Sequence, residues 1–120
     1  MNNWSISHIV KNLLPITLCS LFSISAHAEN TEITPIEKGK SIASELCQAC
    51  HEFKGADQAG TVGPPLVNMS QRFPKRERLR EIIYDPQKAS KPHTMMPPFG
   101  RHGFLDKEQT EQLIEFLYTL

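Results

Sequence analysis

Cys47-Gln48-Ala49-Cys50-His51 places two thiols and an imidazole within five residues. This is a C-x-x-C-H stretch, the attachment signature of c-type haem. Two thiols add across two vinyl groups on one edge of the macrocycle and form thioether bonds. Two intervening residues set the sulfurs at a suitable separation when the backbone turns into a helix. The following residue then lies under the iron, and its imidazole supplies one axial ligand. Cys47 and Cys50 are thus expected to hold the cofactor, with His51 as the proximal ligand.

Two other chemistries use such residues. A thioredoxin-type dithiol also has C-x-x-C, but it sits in a βαβ context that this chain lacks. A structural zinc site needs four ligands. Beyond Cys47, Cys50 and His51, the chain after its N-terminal segment offers only His93 and His102, in unsuitable spacing.

A second stretch is Lys91-Pro92-His93-Thr94-Met95-Met96-Pro97-Pro98-Phe99-Gly100-Arg101-His102-Gly103. Nothing in it is periodic. A thioether sulfur is a soft, neutral ligand that favours reduced iron and raises the potential. Met96 suits this role, because Pro97 biases it to an extended backbone. Met95 is the near rival; consecutive residues of an extended chain point oppositely, so only one can face the iron. His93 is a further candidate and would give a lower potential. Met69 reads as core. Gly63-Pro64-Pro65-Leu66 is the sharpest feature of the loop after the haem motif. A proline carbonyl there can accept from the Nδ1–H of His51, fixing its tautomer and strengthening it as a ligand. The same residues read equally as an ordinary rigid turn.

These residues need elements to position them. A first helix is expected from Pro35 or Ile36 through Leu46, with Ile42 and Leu46 on one face and Pro tolerated in its first turn. Gly39 on this helix costs stability; it reads equally as a point of close approach for another helix or as a merely tolerated glycine. Glu52 to Val67 reads as loop, broken by Gly55, Gly60, Gly63, Pro64 and Pro65. Phe73 to Tyr84 reads as a helix with a Leu79, Ile82, Ile83 stripe, ended by Asp85-Pro86. Its charged face is either solvated or a docking patch for an acidic partner. Asp106, with Gln109 three residues on, marks the N-terminus of a last helix. Leu113, Ile114, Leu117 and Leu120 give it an apolar stripe, expected to pack on the first helix near Gly39.

The 120 residues suggest one domain, and 13 acidic against 13 basic side chains leave no charge excess to draw nucleic acid. The N-terminus reads as a secretory signal peptide over 1–28. Lys11 is its formal charge, 13–24 is mostly apolar, and Ala26-His27-Ala28 is a small-x-small cleavage site. The apolar run is too short and broken to span a bilayer. Cys19 would leave with this segment. Residues 29–36 read as a flexible lead-in, and 37–120 as the functional domain. The expected compartment is the periplasm, with no membrane anchor in the mature chain. About ninety mature residues make a small core that usually needs a staple, and a covalently held haem can be one.

Taken together, Cys47 to His51, Gly63-Pro64-x-Leu66, the Met-Pro loop and the terminal helices resemble class I cytochrome c. The fold this implies is all-α, a small domain of helices wrapped around one covalently attached haem c. Ile83-Tyr84-Asp85-Pro86-Gln87-Lys88 and Met96-Pro97-Pro98-Phe99-Gly100-Arg101-His102-Gly103 are similar to the SoxX family, the mono-haem subunit of the SoxAX complex of bacterial sulfur oxidation. The resemblance implies His51 and Met96 as axial ligands and matches Pro64 to the family's Gly-Pro position. It further implies an electron-transfer subunit, itself non-catalytic, of a periplasmic complex that conjugates thiosulfate to a carrier-protein cysteine. Its expected partners are a larger SoxA-like haem subunit, a sulfur-carrier protein and a downstream electron acceptor. In that assembly Phe99 and the prolines are expected at an apolar contact, with Arg101 and His102 at its rim. The alternative is a free-standing periplasmic carrier serving a terminal oxidase or reductase.

Overall fold

The structure, a computed structural model, describes residues 32–58 and 60–120. The expected signal peptide over 1–28, its cleavage after Ala28, Cys19, and positions 29–31 of the lead-in lie outside the described residues. Five helices and no strand occur among the described residues: α1 (Pro35–Leu46), α2 (Met69–Arg72), α3 (Arg76–Tyr84), α4 (Pro86–Ala89) and α5 (Lys107–Leu117). The all-α class is as the sequence implies. No helix described here is long and apolar enough to cross a membrane.

The two longest helices are capped by the same device. Thr34 accepts from the Glu37 backbone N–H at 3.2 Å, and the Glu37 carboxylate accepts from the Thr34 N–H at 2.9 Å. The Thr34 N–H and hydroxyl, both donating to it, hold the Glu37 carboxyl below its ordinary pKa. Pro35 follows the cap at the first helical position, where its missing N–H costs nothing. At α5, Asp106 accepts from the Gln109 N–H at 2.8 Å, and Gln109 Oε1 accepts from the Asp106 N–H at 3.0 Å. Each reciprocal pair satisfies two donors that a bare helix end leaves orphaned.

α1 and α5 pack face to face. The contact is closest at Gly39, where an added Cβ would overlap the Gln112 carbonyl and lie 2.9 Å from Phe116 Cβ. α5 buries Thr110, Leu113, Ile114, Phe116 and Leu117. Ile114 is wholly buried, worth about 1.5–3 kcal/mol for such a side chain. Phe116 meets Phe53 edge to face at 5.8 Å between centroids, the preferred quadrupolar arrangement. Leu66, Met69, Leu79, Ile83, Phe99 and Leu105 complete the same core. Met69 is therefore core, as expected.

The helix expected over Phe73 to Tyr84 is interrupted. Phe73 instead closes the short α2 with φ −128° and ψ 70°, and α3 begins at Arg76. Pro74 explains this, since the residue before a proline is driven out of the helical region. Asp85 ends α3 and then caps α4, accepting from the Lys88 N–H at 3.4 Å. α3 is braced on α5 by Arg76–Glu115 and by a two-pronged Arg80–Glu111 pair at 2.5 and 2.9 Å. Two of its arginines are thus engaged within the fold.

Candidate haem site

α1 delivers the C-x-x-C-H stretch directly. Cys47 is its C-cap, donating its N–H to the Ala43 carbonyl at 2.9 Å. The chain then makes a tight turn in which the Cys50 and His51 N–H groups both donate to the Cys47 carbonyl, at 3.1 and 2.8 Å. Cys47 and Cys50 are both free thiols and half-buried. Burial, with the neighbouring Cys50 adding to it, pushes the Cys47 thiol up to about 11. A redox dithiol needs the opposite shift, toward thiolate.

His51 is held from two sides. Its Nδ1 lies 2.7 Å from the Pro64 carbonyl oxygen. That oxygen can only accept, so Nδ1 carries the proton, and in the neutral ring Nε2 keeps its lone pair. Gly63 lies against the ring: an added Cβ would stand 2.6 Å from Nδ1 and 2.8 Å from Nε2. The Gly63 N–H donates to the Cys50 carbonyl at 2.7 Å, and the Leu66 N–H to the Glu52 carbonyl at 2.8 Å. Two short backbone bonds thus pull the Gly63–Leu66 strip onto the haem-motif turn. Gly60 also abuts this turn, where a Cβ would come within 2.6 Å of the Gln48 carbonyl.

Sequence reasoning missed two further supports of this region, one on the strip and one on the haem-motif turn. Arg72 donates to the Pro65 carbonyl at 2.8 Å, and Gln48 accepts from the Asp57 N–H at 3.1 Å. By sequence Arg72 reads only as one more charged residue beside the following helix. A side chain reaching a loop carbonyl seven residues back leaves no periodic trace.

Met96 lies on a separate loop, half-buried against the same core that Cys47 abuts. Met95 is 84% exposed. The Met96 N–H donates to Thr94 Oγ1 at 3.2 Å, and its carbonyl accepts from Gln87 Nε2 at 3.1 Å. His93 is exposed. Farther along the loop, the Arg101 N–H donates to the Tyr84 carbonyl at 3.0 Å. The Arg101 guanidinium pairs with the buried Asp85 carboxylate at 3.2 Å. Phe99, expected at an apolar contact surface, is instead a core residue at 8% exposure. The exposed aromatic is Phe104, edge-on to Phe99 at 6.4 Å. Phe99 turns inward because the N–H groups of Phe104 and Leu105 both fold back onto its carbonyl, at 2.8 and 3.1 Å.

These residues fit a haem. Two unpaired thiols are available for thioether bonds, and an imidazole has its proton fixed on the nitrogen that faces Pro64. Among the described residues no three His, Cys, Asp or Glu side chains converge to hold a bare metal ion. Cys47, Cys50 and His51 would hold the group, and Met96 lies on another loop against the same core.

The family model for cytochrome c matches residues 36–120, from the first turn of α1 to the C-terminal residue. No curated protein and no solved structure gave a match to the chain. The match covers all five helices, both cysteines of the C-x-x-C-H turn and the Met-Pro loop. The chain belongs to the cytochrome c family, electron-transfer proteins that carry covalently bound haem c.

Proposed function

We propose that this chain is a SoxX-like electron relay, the mono-haem subunit of a periplasmic thiosulfate-oxidising complex. One observation carries the reading. The two stretches most similar to that subunit, 83–88 and 96–103, form a single structural unit here. Gln87 holds Met96, the Tyr84 carbonyl receives the Arg101 N–H, and Asp85 pairs with Arg101. Gly100 packs on Tyr84 so closely that a Cβ would stand 3.0 Å from Tyr84 Cα. Family likeness spread over separated segments is more specific when those segments are bound to each other.

When bound, the haem supplies a one-electron iron couple. Cys47 and Cys50 would fix its edge, and His51, oriented by Pro64, would present Nε2 to the iron. Met96 would offer a neutral thioether, which raises the potential. With His51 and Met96 both engaged, the chain would hold no open position for a sulfur substrate. After export and cleavage behind Ala28 the chain keeps only Cys47 and Cys50, both committed to haem, so it has no thiol to act as nucleophile. Thiol chemistry and the second electron therefore belong to a partner, a larger haem subunit acting on a sulfur-carrier protein.

Purification of the native protein from its own periplasm tests this. Co-elution with a larger haem subunit, and a mature N-terminus near Glu29, are expected. A protein that travels alone favours the free-standing carrier. N-terminal sequencing that reads through the apolar segment overturns the processing.

A further inference from the structure

Met95 and Met96 are neighbours in one loop, yet the fold secures only one of them against the core. Both backbone groups of Met96 are engaged, the N–H by Thr94 Oγ1 at 3.2 Å and the carbonyl by Gln87 Nε2 at 3.1 Å. The Thr94 bond is local to the loop and moves with it. The Gln87 bond is not, because Gln87 stands on α4, which is anchored by the wholly buried Pro86 and the Asp85 cap.

The rest of the Gln87 carboxamide makes its role plain. Its Oε1 is buried with no hydrogen-bond partner, a costly state for a polar atom. Turning the amide over would not help, since Oε1 would then face the Met96 carbonyl, acceptor against acceptor. An apolar residue would avoid that cost but could not donate to Met96. The fold retains a carboxamide where only its donor is used.

We propose that Gln87 is the positioning residue for the axial methionine, anchoring the Met96 carbonyl so that its sulfur stays within reach of the iron. This rests on the reading of Met96 as the sixth ligand. The clamp has two jaws on one corner of the fold. Gln87 grips the loop at Met96, and Tyr84 with Asp85 grips it at Arg101. The intervening Pro97 and Pro98 stiffen the span between them.

Imidazole titration of the ferric holoprotein tests the proposal. Added imidazole binds the iron only when the sulfur is off, so its apparent affinity reports the detached fraction. Gln87→Leu should tighten imidazole binding about fivefold, the equivalent of one hydrogen bond of ~1 kcal/mol. Gln87→Glu, of nearly the same volume and with no donor once ionised, should shift it the same way in a titration at alkaline pH. A merely structural role would lower the melting temperature and leave imidazole affinity unchanged. Met96→Ala separates the two claims. If it tightens imidazole binding while both Gln87 variants match the wild type, Met96 is the ligand and the positioning role is overturned. If Met96→Ala changes nothing, the ligand reading has failed and the positioning role falls with it. Should Gln87→Leu fail to mature with haem, Gln87→Glu decides.

Discussion

His51 Nδ1 stands 2.7 Å from the carbonyl oxygen of Pro64. The bond fixes the tautomer and rotation of the ring, the kind of second-layer control that tunes a metal ligand. Gly63 makes it possible, because only a residue without a side chain lets the strip lie flat on the imidazole. Gly63→Ala should therefore push the ring off its position. A loss of about 1–3 kcal/mol is expected, typical of overpacking, with a displaced Soret band in the ferric protein. Thermal melting and absorption spectra of the holoprotein check both; an unshifted spectrum with unchanged stability contradicts the cradle.

Gly39→Ala gives a test with opposite signs. On a free helix face the change would stabilise by about 0.8–1 kcal/mol through helix propensity. Here the new methyl meets the Gln112 backbone and Phe116. Backbone cannot swing aside, so we expect net destabilisation of about 1–3 kcal/mol, read as a lower melting temperature. A higher one would mean that α1 and α5 do not pack at this residue.

The α3–α5 brace should make stability depend on pH. The hydrogen bond from Arg80, foremost, holds the Glu111 carboxyl below its ordinary value of 4.5. A carboxyl whose pKa is depressed on folding contributes above its unfolded value and loses that contribution as pH falls through the folded one. The pair is over a third exposed on both sides, so its worth is that of a screened surface pair, about 0.2–1 kcal/mol. Glu111→Gln should melt lower than the wild type at neutral pH, and the gap should narrow as pH falls below the ordinary value of 4.5. A gap that persists unchanged into acid contradicts the ion pair as its cause.

Much of the architecture was legible in the chain. The C-x-x-C-H turn, the Asp106–Gln109 cap and the α5 stripe are local patterns, and local patterns survive folding. Gly39 could be named as a point of close approach, because a helix bears a glycine at a cost, but not told from a merely tolerated glycine. The Pro64 carbonyl could be named as an acceptor but not told from an ordinary turn, since that depends on how Gly63 meets His51. The break at Phe73 was missed although Pro74 announced it; the apolar stripe outweighed a rule about one residue. Arg76 and Arg80 looked solvated because their glutamate partners lie 39 and 31 residues away. Phe99 looked exposed because its loop has no period from which to read a facing. Gln87 drew notice only as part of a family stretch, and its grip on Met96 spans two elements.

The two methionines should separate cleanly by spectroscopy. Met96→Ala should remove the weak sulfur-to-iron absorption at the red end of the spectrum and lower the reduction potential. Met95→Ala should do neither, in keeping with its 84% exposure. The reverse pattern would make Met95 the ligand.

The relay role is tested most directly by following the haem of this chain as thiosulfate is added. Alone, the oxidised protein should stay oxidised, for want of a thiol and of an open coordination position. With the larger haem subunit and the sulfur-carrier protein present, its haem should be reduced in step with thiosulfate consumption. Reduction by thiosulfate in the isolated chain, at the rate of the assembled mixture, would contradict the account.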